Sequence, residues 1–123
     1  MNFLSPLVPH VHWALRLSLA ATFLFHGITK FPVPPFAEAM GMPMPMVWAV
    51  ALAEIAAGAS LIAGAFGKEA LTRLGGLIVI VIMIGAISMV HFKNGWNVGD
   101  GGMEFQVLML AVGLYFAVRG NEV

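Results

Sequence analysis

The 123-residue chain has no cysteine and few charged residues. Without thiolates it cannot perform thiol-disulfide exchange, hold an iron–sulfur cluster or build a thiolate zinc site. Charged residues make up 10% of the chain, against about 25% in soluble globular domains. Six basic residues balance six acidic ones, so the chain has no strong field of either sign that would attract nucleic acid.

Hydrophobic residues make up 60% of the chain, which favours lipid as the solvent for most of its surface. Four apolar segments cover residues 11–28, 46–66, 71–91 and 103–118, each close to the ~20 residues that cross a bilayer. Isolated apolar segments satisfy their backbone groups in lipid only as helices. The sequence therefore predicts an all-α fold, an integral membrane four-helix transmembrane bundle with short loops and up-down-up-down order, as one domain over residues 1–123. Without strands, a nucleotide-binding turn of the Rossmann type is unsupported.

The basic residues predict the orientation of these segments. Arg16 lies inside the first apolar segment with no basic residue ahead of it, which is not the pattern of a cleavable signal peptide. Four crossings place both termini on one side, and the positive-inside rule makes that side cytoplasmic. The basic residues expected on that side are Arg16, Lys68, Arg73 and Arg119, against Lys30 and Lys93 on the other. We therefore predict a multi-pass protein of the bacterial inner membrane with cytoplasmic termini.

The connections and the small residues indicate how the helices meet. Residues 29–45 hold five of the seven prolines, and residues 36–40 are predicted to form one helical turn that ends at Gly41. Small residues at four-residue spacing let helices approach closely in lipid. The second segment has two such sets, Ala49, Ala53 and Ala57, and Ala56, Ser60 and Gly64. In the third segment, Gly85 and Ser88 are expected to mark the packed face.

Five ionisable residues lie in or beside the apolar segments, where a charge is costly unless it is paired or used. The ends of the helices bring His26, Glu54, His91 and Glu104 towards one membrane face, and these four are the candidate catalytic residues. They recur as a histidine followed by a glutamate in each half of the chain, a weak internal repeat. Arg16 is expected to form a structural ion pair with Glu54.

Each of these residues also has a simpler interpretation. Arg16 can extend to the interface, and His26 and His91 can cap helix ends. Glu104, in the first turn of a helix, is favoured by the helix dipole alone. Lys30 is more typical of an interface anchor than of a site.

Two metal hypotheses arise from the same region. Alternating methionines in an extended segment would present soft thioethers on one side, as Cu(I) prefers, although methionine is also an ordinary flexible apolar residue. These residues are Met40, Met42, Met44 and Met46. Ligation of a haem by His26 and His91 is the other hypothesis.

The order of short motifs along the chain resembles the DoxX family of small bacterial membrane proteins. The motifs are His26-Gly27 and Lys30-Phe31 closing the segment 16–31, Gly41-Met42-Pro43, Glu54 with Gly58 and Gly64, and His91 ending the third helix. The resemblance implies a four-helix membrane fold. The family is named from archaeal thiosulfate-oxidising enzymes in which its members serve a quinone oxidoreductase, whereas most members have no assigned reaction.

Three functions therefore stay open. The first is an oxidoreductase-linked membrane subunit with a quinone site at the face of the four candidate residues, since a quinone needs proton donors beside an apolar slot. The second is a non-catalytic accessory subunit that packs beside a larger membrane complex. The third is Cu(I) handling by the methionine-rich loop. The expected partners are the lipid bilayer and other membrane protein subunits, with no nucleic acid.

Overall fold

A computed structural model describes residues 2–122, which are helices and turns without a β-strand. The predicted all-α fold is thus confirmed. The five α-helices are α1 His12–Ile28, α2 Val33–Met40, α3 Met44–Gly64, α4 Glu69–Ala86 and α5 Glu104–Arg119. A 3-10 helix, Asn2–Leu7, precedes α1, and a 3-10 turn, Val98–Asp100, precedes α5. Beyond α4 the chain stays helical through a π turn, Ile87–His91, and a 3-10 turn, Phe92–Asn94.

The four predicted apolar segments lie on α1, α3, α4 and α5. Two helices in the described part of the chain are long and apolar enough to cross a membrane by length and composition, Met44–Gly64 and Glu69–Asn94. The other two are shorter. With 17 and 16 residues, α1 and α5 reach about 26 and 24 Å, somewhat less than the hydrocarbon thickness of about 30 Å.

The long helices pack as a row. Helix α1 packs against α3, α3 against α4, and α4 against α5, whereas α1 and α5 make few contacts with each other. The Arg16 side chain, near the start of α1, bonds to Leu61 near the end of α3, to Thr72 near the start of α4, and to Asn121 just after α5. Those four helix ends therefore meet at one end of the molecule.

Glycines bring the packed helices into close backbone contact. A Cβ atom on Gly58 would lie 2.9 Å from the Ala20 carbonyl oxygen, and one on Gly76 would lie 2.6 Å from the Gly113 carbonyl oxygen. Close approach of this kind lets helices pack where lipid offers no hydrophobic driving force. Gly85 behaves differently, because a Cβ there would meet no atom within 4 Å. The expectation that Gly85 marks a packed face of the third segment is wrong.

Helix α2 lies against the first part of α3. Its Val33 and Ala37 pack with Val47 of α3 as a small buried cluster. The helix ends at Gly41, which has a φ of 66° in the left-handed region, so glycine suits this cap. The predicted helical turn over residues 36–40 and its end at Gly41 are confirmed, and the helix begins earlier, because Pro34 and Pro35 occupy its first turn, where proline is tolerated.

Candidate functional site

A cavity of about 700 Å³ lies among α1, α3, α4 and α5, with α2 at one end. Its size is within the range of about 300–1,000 Å³ that is common for small-molecule sites. Small side chains on facing helices leave this space open, namely Ala49, Ala53, Gly85 and Ala86. Most of the wall is apolar. The polar side chains along it are Thr22, His26, Lys30, Glu54, His91 and Gln106.

The strongest polar feature of the cavity wall is an ion pair between Lys30 and Glu54. Lys30 Nζ lies 3.0 Å from each carboxylate oxygen of Glu54, which is only 6% exposed. Lys30 also donates to the His26 carbonyl oxygen at 3.0 Å, and its ammonium lies 5.6 Å from the centre of the Phe36 ring. All three donors of this lysine are therefore used, and the pair holds the end of α1 to α3.

Arg16 takes no part in that pair. Its guanidinium is 1% exposed and donates to the Leu61 carbonyl oxygen, to Thr72 Oγ1 at 2.9 Å and to Asn121 Oδ1 at 3.2 Å. The predicted Arg16–Glu54 ion pair is wrong. The reason is distance, because Leu61 lies seven residues beyond Glu54, about 10 Å further along α3.

His91 has a defined tautomer. Its Nδ1 lies 2.8 Å from the Gly101 carbonyl oxygen, which can only accept a hydrogen bond, so Nδ1 carries the hydrogen. In the neutral ring Nε2 is then an acceptor, and in the protonated ring it is a second donor. His91 can therefore accept from a hydroxyl group in one state and donate to a carbonyl group in the other.

Two further polar groups border the cavity. His26 lies on its wall as an exposed residue, one helical turn before Lys30. Gln106 of α5 also lines it, and the buried Oε1 of this side chain has no hydrogen-bond partner among residues 2–122. Sequence reasoning missed Gln106 because it searched for ionisable residues. The available signal was an amide inside an apolar segment, where an unsatisfied polar group is costly.

The structure brings three of the four candidate catalytic residues to the cavity, His26, Glu54 and His91. Glu104 does not line it. The carboxylate of Glu104 accepts a hydrogen bond from the Val98 backbone N–H at 2.8 Å, which ties the preceding loop to the first turn of α5. The position of Glu104 thus matches its simpler interpretation, an acidic residue in the first turn of a helix.

The methionine-rich segment is not extended. Met40 ends α2 and Met44 begins α3, so the alternation does not place the four sulfur atoms along one side of a strand. Met40, Met42 and Met46 line the cavity, whereas Met44 does not. The premise of the copper hypothesis is therefore wrong. Residues 2–122 also contain no group of three or more His, Asp or Glu side chains placed to hold a metal ion.

The arrangement suits a small amphipathic ligand. Methionine, phenylalanine and small aliphatic side chains provide an apolar volume, and the polar groups provide donors and acceptors along its wall. His91 and Gln106 both line the cavity and carry groups that can form hydrogen bonds. The Lys30–Glu54 ion pair lies on the same cavity wall and adds one positive and one negative group to it.

The model of the DoxX family matches residues 12–92, about two thirds of the chain. The matched stretch includes Lys30, Glu54 and His91 and ends before Gln106. No curated protein and no solved structure matches the chain.

Proposed function

Because the chain belongs to the DoxX family of membrane proteins, we propose that it is a multi-pass protein of the bacterial inner membrane whose cavity binds a lipid-soluble quinone. In this proposal it serves a membrane oxidoreductase as a subunit, with four helices crossing the bilayer in up-down-up-down order. The observation that carries the proposal is the apolar cavity with the Lys30–Glu54 pair, His91 and Gln106 on its wall.

The outer surface supports the membrane part of the proposal. Large apolar side chains stay exposed on all four long helices, among them Phe25, Leu52, Val81 and Leu108. Large apolar side chains exposed on every long helix are unusual for a water-soluble monomer and suit a surface in contact with lipid. Lipid tails and the helices of partner subunits are the surroundings that suit it.

The polar wall supports the choice of a quinone. Conversion of a quinone to a quinol takes up two electrons and two protons, and the two ring oxygens change from acceptors to hydroxyl donors. His91 matches both forms, because its Nε2 donates when the ring is protonated and accepts when the ring is neutral. The chain has no cysteine to hold an iron–sulfur cluster. In the proposal, the electrons therefore come from a redox centre of a partner subunit, and this chain binds the headgroup and exchanges protons with it.

Quinone binding is the first test. Purified protein in lipid nanodiscs should bind a quinone saturably, and Gln106→Leu should weaken the binding about 5–10-fold, the value of one hydrogen bond of about 1–1.5 kcal/mol. The matched control is Glu104→Gln, which keeps an acceptor for the Val98 N–H and lies off the cavity. It should bind like the parent. Isothermal titration calorimetry measures both variants, with circular dichroism as the check on folding.

Absence of saturable quinone binding in the parent protein would remove this proposal. The non-catalytic accessory subunit would then be the better function, since it needs only the apolar outer surface. If Gln106→Leu and Glu104→Gln weakened quinone binding equally, that result would also count against the cavity as the binding site.

The orientation can be measured by cysteine labelling, which the absence of native cysteine makes simple. The exposed residues Glu38, Lys68 and Lys93 are replaced by cysteine one at a time and treated with a membrane-impermeant maleimide on intact cells. We expect the label at positions 38 and 93 and not at 68, because the positive-inside rule places Lys68 in the cytoplasm. After cell lysis all three should react. The reverse pattern in intact cells would invert the orientation.

A further inference from the structure

A second, smaller space lies beside the cavity, in the gap between α1 and α5. It is a groove of about 210 Å³, lined by Leu15, Ser18, Leu19 and Thr22 of α1 and by Phe105, Leu108, Met109 and Val112 of α5. These two helices make few contacts with each other, whereas neighbouring helices elsewhere in the row pack closely. The groove therefore lies between two long helices that pack loosely against each other.

The groove lies next to the cavity. Three residues line both spaces, Thr22, Phe105 and Met109. Only the side chains of these shared residues lie between a molecule in the cavity and the groove between α1 and α5. Glycine contacts such as Gly58 with Ala20 and Gly76 with Gly113 pack α1 closely on α3 and α4 closely on α5, whereas α1 and α5 have the groove between them.

The groove is apolar and runs along the helices. None of its lining residues is charged, and the Thr22 hydroxyl donates to the Ser18 carbonyl oxygen at 2.8 Å, which leaves the Thr22 methyl group for the groove. From Thr22 to Leu15 it follows two turns of α1, about 10 Å, away from Lys30 and Glu54. This is the direction of the lipid chains in a bilayer that the helices cross.

We propose that the groove holds the apolar isoprenoid tail of the quinone whose headgroup lies in the cavity, and that the gap between α1 and α5 is the lateral opening through which this ligand arrives from the lipid. The inference rests on the proposed quinone site and adds the path of the tail to it. The shared lining residues support this occupant, because a tail attached to a headgroup in the cavity reaches the apolar groove by passing these three side chains.

The location of the tail is a sharper test than affinity. A tail that moves from lipid into an apolar groove exchanges one apolar surrounding for another, so the hydrophobic effect adds little to its binding. A quinone analogue with a diazirine on its tail reports the location directly. In nanodiscs, irradiation followed by peptide mass spectrometry should find the label on residues 15–22 and 105–112. An excess of a tailless quinone should suppress that label.

Matched variants test whether the groove itself holds the tail. Ser18→Phe places an aromatic ring in the groove and should reduce the labelling of residues 15–22 and 105–112 about fivefold or more by steric exclusion. The control is Leu17→Phe, which adds the same ring on an exposed position of α1 that does not line the groove. It should leave the labelling unchanged. Both variants should bind a tailless quinone within about twofold of the parent, since neither position lines the cavity.

The outcomes separate the tail path from the quinone site. Suppressible labelling elsewhere in the protein, with binding of the tailless quinone intact, would overturn the tail path alone. Groove labelling that persists under excess tailless quinone would assign the groove to membrane lipid and also overturn it. No suppressible labelling and no binding of the tailless quinone would overturn both. If Ser18→Phe fails to fold, Val112→Phe on the opposite wall, with Leu114→Phe as its control, provides the same comparison.

Discussion

Lys30→Met is expected to destabilise the protein by about 3–5 kcal/mol, the cost of removing one partner of a buried ion pair. Glu54 would stay at 6% exposure without the ammonium that now lies 3.0 Å from both of its oxygens. Methionine has a similar length and adds no polar group, so the loss reports the missing charge. Unfolding by sodium dodecyl sulfate in mixed micelles, followed by circular dichroism, measures the change in the free energy of unfolding.

Substitution of the acidic partner should destabilise the protein less than Lys30→Met does. In Glu54→Gln the lysine keeps a long flexible side chain that can turn its ammonium towards water, so we expect a loss of about 1 kcal/mol. The double variant should be more stable than Lys30→Met alone, because it leaves no unpaired buried charge. Lys93→Met, at an exposed position with no ion pair among the described residues, is the matched control and should change stability by less than about 0.5 kcal/mol. A loss in Lys30→Met as small as in this control would contradict the prediction.

Substitution of Arg16 is expected to have the second large effect on stability, because its guanidinium donates a hydrogen bond to a carbonyl group at the end of α3. The last carbonyl groups of a helix lack partners within the helix. Those of Ile62 and Ala63 accept from the N–H groups of Ala65 and Phe66, whereas the Leu61 carbonyl accepts from Arg16. A cation at this end also suits the helix dipole. The same guanidinium lies 4.9 Å from the centre of the Phe116 ring.

Arg16→Met should therefore cost about 3 kcal/mol or more, since it removes hydrogen bonds from a charged donor to several buried acceptors. Arg16→Lys should recover only part of this, because an ammonium lacks the fork that reaches Leu61, Thr72 and Asn121 together. The measurement is again detergent-driven unfolding.

The control for Arg16 is Arg119→Met, an exposed arginine at the end of α5, which should change stability by less than about 0.5 kcal/mol. Thr72→Val removes the hydroxyl that accepts from Arg16 and donates to Asn121 at 2.7 Å. Its effect should not add to that of Arg16→Met, because both break one network. Strict additivity would show that the network does not act as a unit.

The candidate site could be predicted only in part. Helix lengths alone bring His26, Glu54 and His91 towards one end, and the structure places all three on the cavity. The predicted partner of Glu54 is wrong, because the sequence does not show towards which end of the bundle the long Arg16 side chain extends: its guanidinium bonds to Leu61, about 10 Å along α3 from Glu54. Lys30, just after the end of α1, pairs with Glu54 instead. Gln106 was missed because an uncharged amide gives no electrostatic signal in a sequence.

The sequence by itself determined the helical class and the exclusion of cysteine chemistry. Both depend on composition and on segment length, which are local properties, since each apolar segment must satisfy its own backbone groups. The tertiary structure alone decided where small residues close an interface and where they leave a space. Gly76 lies against Gly113, whereas Gly85, nine residues further along the same helix, faces the cavity. A glycine permits either a close helix contact or an open space. Which of the two forms depends on the distance between the neighbouring helices at that depth.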